Sequence, residues 1–451
     1  MYEQRISALL LTLNLFVTLS CFAQTETEKM DKVVQSYVDN QQFMGSVLVA
    51  QGDNIILNKG YGFANVEWEI PNTPATKFKL ASITKQFTAA SVLILEEQGK
   101  LKTSDFITKY FPDVPAAWNK ITILNLLNHS SGIPDFTTFP NYESFQLSPT
   151  TASKTILTFK DMPLDFDAGQ RVSYSSSGYI LLGALIEKIS GKSYESFVQD
   201  NIFSRVNMTN SGYASNTEII IHQASGYTWG PIGVNNATYI DMSVPYAAGA
   251  LYSTTGDLLK WENAVFGGKL LSSSSLKKMI TPYKEDYALG VFVATNKGQA
   301  IVQHNGEING FNTNLIYYLD KKITVAVLGN VNTYAVDEIT NAIGAIAQGE
   351  DIKSSTVRKE IKISNEILKK YVGSYELSPS VNMIITLNGN HLISQVSNQQ
   401  QTAPLFAETD ARFFVKAFAA QIVFFENESQ VVTHLVLHQG GNDKKALKKN
   451  N

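Results

Sequence analysis

Cysteine is almost missing from this chain: Cys21 is the only one in 451 residues. A chain cut after that position would hold no disulfide, no thiol nucleophile and no cysteine-bound metal. Charge of one sign is missing too. With 37 basic and 40 acidic residues the net charge is −3, which argues against nucleic acid or an anionic membrane surface as the main partner. The six histidines (His129, His222, His304, His391, His434, His438) form no H-E-x-x-H helix, and His434 and His438 share a strand-like run, VVTHLVLH, where their spacing is same-face periodicity. No metal or other cofactor is expected. Internal repeats and low-complexity tracts are absent as well.

One uncharged, mostly apolar run stands at the N-terminus, Ile6 to Phe22 behind Arg5, ending in Cys21-Phe22-Ala23 before a polar segment. It reads as a signal peptide, residues 1–23, cleaved after Ala23. Thr12, Asn14, Thr18 and Ser20 interrupt it, so it is too short and too polar for a membrane anchor. Thr18-Leu19-Ser20 matches a lipoprotein signal poorly, and membrane attachment is expected only if Cys21 is lipidated. Export without disulfides suits a periplasmic or secreted bacterial protein whose core is large enough to need no staples.

What the sequence does contain is centred on Phe78 to Lys100, FKLASITKQFTAASVLILEEQGK. Ser82 and Lys85 stand three residues apart at the start of an apolar run that Gly99 breaks, so both side chains share one face of a first helical turn. A serine hydroxyl needs a neighbour that takes its proton and a site that holds the resulting charge. The unpaired N–H groups of a helix N-terminus favour that charge. The same spacing recurs at Ser274/Lys277 and Ser275/Lys278, but in the solvated-looking run SSSSLKK. After Lys85, by contrast, no charge appears until Glu96, and a helix apolar nearly all round is a buried one. A free lysine titrates near 10.4, so Lys85 accepts a proton only if burial or a cation lowers it.

In chain order, Met30 to Tyr37 reads as a short amphipathic helix, and GSVLVAQ and NIILN as a hairpin around Gly52-Asp53. Ile121 to Phe136 carries a second short helix closing in a Ser-Gly-Ile-Pro turn. In Arg171 to Gly191 a buried helix starts near Gly178, leaving Tyr174, Ser175 and Ser176 in the preceding loop. Tyr174 is a candidate to share the proton transfer with Lys85. Pro245 to Trp261 reads as close packing followed by a helix start at Thr254 to Asp257. Ile301 to Asn332 reads as three strands, with His304-Asn305-Gly306 at the end of the first, where glycine allows close approach of a ligand. Gln348 to Lys359 is polar and unpatterned, a linker; beyond it lies a small antiparallel sheet or barrel of about 90 residues with KKALKKN as a solvated end.

GSVLVA, NKGYGFANVE, TKFKLASITKQFTAA, LLNHSSGIPDF, YSSSGYILLGALIE, AAGALYSTTGDLLKW and HNGEINGF together resemble the serine β-lactamase and penicillin-binding-protein superfamily, in its class C-like, D-Ala-D-Ala carboxypeptidase and esterase branch (peptidase family S12 type). The resemblance implies an α/β fold, an antiparallel sheet flanked by helices with an all-α subdomain, over residues 24–347. A linker (348–364) and a small barrel-like β-domain (365–451) would follow. It implies Ser82 as the acylated nucleophile, Lys85 as its proton partner and Tyr174 as the tyrosine of a Y-x-N motif in which Ser176 replaces asparagine. His304-Asn305-Gly306 would stand in for K-T-G, and the backbone N–H groups of Ser82 and Glu307 would form the oxyanion hole. The expected function is an exported serine hydrolase acting through a Ser82 acyl-enzyme on an ester, D-amino-acid peptide or β-lactam carbonyl, with a small-molecule or peptidoglycan-derived peptide as partner. The alternative is a sensor or binding protein, acylated or occupied by cell-wall peptides without turnover.

Overall fold

The computed structural model describes residues 26–230, 233–296, 298–350, 358–399 and 402–449. The expected signal peptide with Cys21, and residues 351–357 of the expected linker, lie outside the described residues.

The catalytic-sized part is built on one six-stranded antiparallel sheet. Its strands are β1 (Gly45–Gln51), β2 (Asn54–Tyr61), β3 (Phe292–Asn296), β4 (Gln299–Ile308), β5 (Phe311–Tyr318) and β6 (Ile323–Gly329), in the spatial order β3-β4-β5-β6-β1-β2. The hairpin β1–β2 turns at Gly52-Asp53, with Gly52 in the left-handed region at φ 56°, as its sequence requires. Strand β6 sits between β5 and β1, and all seven of its residues are buried, which is why it reads as an unbroken apolar run.

Side-chain alternation sends the two faces of this sheet to different cores. Val47, Val49, Ile316, Val325 and Val327 meet the helices at 26–39 and Ala335–Ala347. Leu48, Ala50, Leu315, Ala326 and Leu328 meet the larger core that holds the helices Thr84–Glu97 and Thr255–Phe266. Helix Thr84–Glu97 is buried from Thr84 through Leu95 because an all-α region covers its other side, chiefly helix Ser176–Ser190. Gly191, at φ 71°, terminates that second helix in a left-handed cap.

Eight strands between Gly373 and Lys448 close into an antiparallel barrel filled by Tyr375, Leu392, Phe413, Leu435 and Ala446. One sequence expectation is corrected here. The basic tail is not a solvated end: Asn442–Lys448 is the strand that closes the barrel, pairing with Gly373–Ser378, and Ala446 is fully buried. Lys444 and Lys445 stay exposed, and Ala446 packs into the barrel beside Leu435.

Candidate active site

Ser82 does not sit in the first turn of the α-helix itself. It occupies a 3₁₀ turn, Ala81–Ile83, that runs directly into helix Thr84–Glu97. Residues three apart eclipse one another in a 3₁₀ turn, so the spacing of Ser82 and Lys85 brings their side chains together. Lys85 Nζ lies 3.0 Å from Ser82 Oγ and donates a second hydrogen bond to the Ala248 carbonyl at 2.9 Å. The turn is held in an unusual backbone: Ala81 has φ 49°, a left-handed value for a residue with a side chain. Leu80 fixes it from both sides, its N–H bonding the Leu251 carbonyl at 2.8 Å and its carbonyl accepting from Thr313 Oγ1 at 2.9 Å.

Lys85 is 1% exposed. Burial lowers its pKa to about 7, against a smaller opposing pull from the Asp135 carboxylate. Its ammonium lies 4.8 Å from the ring centre of Tyr174 and 5.5 Å from that of Tyr179. Tyr174 is 38% exposed, and its hydroxyl faces the Ser82 side chain. Burial of that hydroxyl by the surrounding protein outweighs the influence of Ser82 and holds its pKa well above 10. Tyr174 is therefore a neutral phenol at neutral pH.

The remaining predicted residues divide into two groups. Ser176, the first residue of helix Ser176–Ser190, lines the cleft with Ser82, Lys85, Phe136, Tyr142 and Glu307. His304 and Gly306 do not line it. His304 is buried beneath Tyr174, with Nε2 3.2 Å from the Tyr287 hydroxyl and Nδ1 2.6 Å from the Asn305 carbonyl oxygen. Burial, reinforced by the Lys85 charge, depresses its pKa to about 3, so its imidazole stays neutral. Gly306 approaches the protein's own nucleophile turn: a Cβ there would lie 2.2 Å from the Leu80 carbonyl oxygen and 3.1 Å from Ala81 Cβ. The glycine lets β4 pack directly against the Ser82 turn.

Sequence reading undervalued the stretch Pro245 to Gly249. It does pack closely, with Gly249 near Pro245 and the Ala81 backbone, but its Ala248 carbonyl is also the second acceptor for Lys85. A backbone carbonyl carries no residue signature, so only the sequence context AAGAL marked it. Among the described residues, no group of three or more His, Cys, Asp or Glu side chains is disposed to hold a metal ion.

Comparison with known proteins agrees with this geometry. The beta-lactamase family profile matches residues 30–349, and a domain of unknown function, DUF3471, matches residues 357–448. Penicillin-binding protein 4* of Bacillus subtilis (strain 168) is 28% identical over 455 residues, covering 94% of this chain and 99% of its own. The octameric penicillin-binding protein homologue from Pyrococcus abyssi superposes with a TM-score of 0.65 at 25% identity, covering 93% of this chain and 99% of the other. The penicillin binding protein from Bacillus halodurans superposes at 0.63 with 27% identity, over 70% of this chain and 99% of that one. With a serine and a buried lysine in one cleft, the Tyr174 ring beside that lysine, and the family profile spanning well over half its length, the chain belongs to the beta-lactamase family of serine hydrolases and carries a C-terminal β-barrel.

Proposed function

We infer that the protein is an exported hydrolase that forms an acyl-enzyme at Ser82 on an ester, D-amino-acid peptide or β-lactam carbonyl. The observation that carries this reading is the contact between Ser82 Oγ and a fully buried lysine, whose pKa burial lowers to about 7. Neutral Lys85 takes the Ser82 proton as Oγ bonds to the carbonyl carbon. The backbone N–H groups of Ser82 and Glu307 hold the tetrahedral oxyanion. Tyr174, a phenol with its proton in place, gives that proton to the leaving group as the carbon–leaving-group bond breaks, and recovers it through Lys85. Water then repeats the attack on the acyl-enzyme and releases the acid. Export rests on the N-terminal apolar run, and the β-lactam option on the relative's name as a penicillin-binding protein.

The test is intact-protein mass spectrometry of the wild type and Ser82→Ala with p-nitrophenyl acetate, a chromogenic cephalosporin and a D-Ala-D-Ala peptide. A transient adduct that needs Ser82, with continuing product, is expected for at least one of the three. An adduct that forms once and never turns over would favour the sensor. Full activity in Lys85→Ala would sink the proton-transfer scheme.

A further inference from the structure

His129 lies under the cleft, in the loop that follows helix Ile123–Leu127, and nothing above gives it a role. It is 2% exposed and holds a left-handed backbone, φ 57°. Three contacts run from it to the same short segment. Its carbonyl accepts the Ser173 N–H at 2.9 Å, and its Nδ1 accepts the Ser175 N–H at 3.1 Å. Its ring lies against the ring of Tyr174, centroids 4.3 Å apart at 41°. The residues on either side of Tyr174 are thus tied to the main chain and side chain of one histidine, and the tyrosine ring rests on the imidazole between them. Tyr287 and Tyr179 back the imidazole at 4.5 and 5.2 Å.

The chemistry of the ring is constrained by these bonds. Nδ1 can accept the Ser175 N–H only if it carries no proton, which places the proton of a neutral imidazole on Nε2. Nε2 is buried and has no hydrogen-bond partner among the described residues. Such a donor costs about 1–3 kcal/mol, so the site retains the ring at a price in stability. Burial, Lys85 and His304 all disfavour a charge here, and the ring stays neutral. A protonated His129 would lose its bond to Ser175 and set a second cation below Lys85.

We propose that His129 is a positioning residue for acyl transfer: as the neutral Nε2–H tautomer it clamps residues 173–175 and fixes the Tyr174 hydroxyl against Ser82. This rests on the acyl-transfer reading, and it adds a residue that touches neither substrate nor nucleophile. Misplacing a catalytic group by about 1 Å costs on the order of 100-fold in rate. The clamp should therefore appear in kcat and leave KM nearly unmoved.

Two variants separate the bonds from the bulk. His129→Phe keeps a ring under Tyr174 and removes the acceptor; His129→Asn loses the ring, keeps an acceptor oxygen in the place of Nδ1 and tolerates the left-handed backbone. With p-nitrophenyl acetate, and with rates referred to folded protein, His129→Phe is expected to lose about 100-fold in kcat with KM within about twofold, while His129→Asn recovers most of that loss. A folded His129→Phe with wild-type kcat would overturn the proposal. Nitrogen NMR of histidine-labelled wild type, with His129→Asn to assign the signal, gives a readout independent of turnover. His129 should remain the neutral Nε2–H tautomer between about pH 5 and pH 8. A titrating His129, or an Nδ1–H tautomer, overturns the clamp even if His129→Phe does not fold. Absence of Ser82-dependent turnover in the wild type would instead count against the acyl-transfer reading, with the nitrogen spectra still deciding the clamp.

Discussion

Lys85 shows how one buried side chain trades stability for reactivity. Its folded pKa of about 7 lies below the ordinary lysine value of 10.5 because burial penalises the ammonium. Between those two pH values the unfolded chain binds more protons than the folded one, so this group's contribution to stability rises with pH across that window. Below about pH 7 the full cost of burying the charge is carried. The same depression makes the amine available as a base. The plot of kcat/KM against pH for p-nitrophenyl acetate is therefore expected to fall on its acid side with a midpoint near 7, by about one decade per pH unit well below it. A flat profile down to pH 5 would remove Lys85 as the base. At this scale the sequence was informative where chemistry has a residue signature: Ser82 and Lys85 stood out by spacing and context, and Tyr174 through the family resemblance of the motif that holds it. Ala248 was not, because its contribution is a main-chain oxygen brought in from 163 residues away. His129 was not, because its part depends on where a ring and a carbonyl point.

Several of the longer elements were legible through their periodicity, but the helices Ala152–Phe159 and Ser273–Met279 were not. The three strands expected within Ile301 to Asn332 correspond to β4, β5 and β6. Strand β4 runs past its expected end at His304-Asn305-Gly306: Glu307 and Ile308 pair with Asn312 and Phe311. More was lost among very short strands. Phe78–Lys79, Gly212–Tyr213 and Leu251–Ser253 form a small three-stranded sheet just before the nucleophile turn, and runs of two or three residues carry no period to read. That small sheet holds the Ser82 turn through the Leu80 N–H bond to Leu251, and β4 packs on it through Gly306, which makes Gly306 the sensitive point of the assembly. In Gly306→Ala the new methyl would meet the Leu80 carbonyl oxygen at 2.2 Å and Thr313 Oγ1 at 2.5 Å, both rigidly placed. Overpacking of this kind costs about 1–3 kcal/mol. The expected result is a folded protein of lower thermal stability whose acylation of Ser82 is slowed at least tenfold, read by adduct mass against time. Unchanged acylation would show that β4 does not set the geometry of the turn.

On the scale of the whole molecule, the barrel was legible as a group of strands and its closure was not, since closure joins the first strand to a last one about 70 residues later. Nor did the sequence reveal how the barrel meets the rest of the chain. Phe406 and Phe414 pack against Tyr227, Trp229 and Val331 of the larger part. Lys416 sits within that contact, 2% exposed, 4.5 Å from the Trp229 ring centre and 4.0 Å from that of Phe406. Its ammonium pairs at 2.9 Å with Glu360, which also meets His391 at 3.0 Å. Burial pulls the Glu360 pKa upward, but these two partners prevail and hold it at about 2. Tyr227 carries the contact inward: its N–H bonds the Asn330 carbonyl and its own carbonyl accepts the Asn332 N–H, while the Asn332 side chain holds the Ile308 and Gly310 backbone at the edge of the cleft. Lys416 is the buried member of this pair and Glu360 the solvent-exposed one, so truncating Lys416 removes its packing on the Trp229 and Phe406 rings together with the bond to Glu360. Lys416→Ala is therefore expected to loosen the barrel first. Calorimetry should show one thermal transition splitting into two, the lower belonging to the barrel, and Ser82-dependent turnover should decline with the lower one because Tyr227 joins the barrel contact to the Asn332 bonds at the cleft edge. Turnover that persists to the upper transition would show that the barrel is carried by the hydrolase without supporting its site, and a single unshifted transition would show that Lys416 does not hold the two parts together.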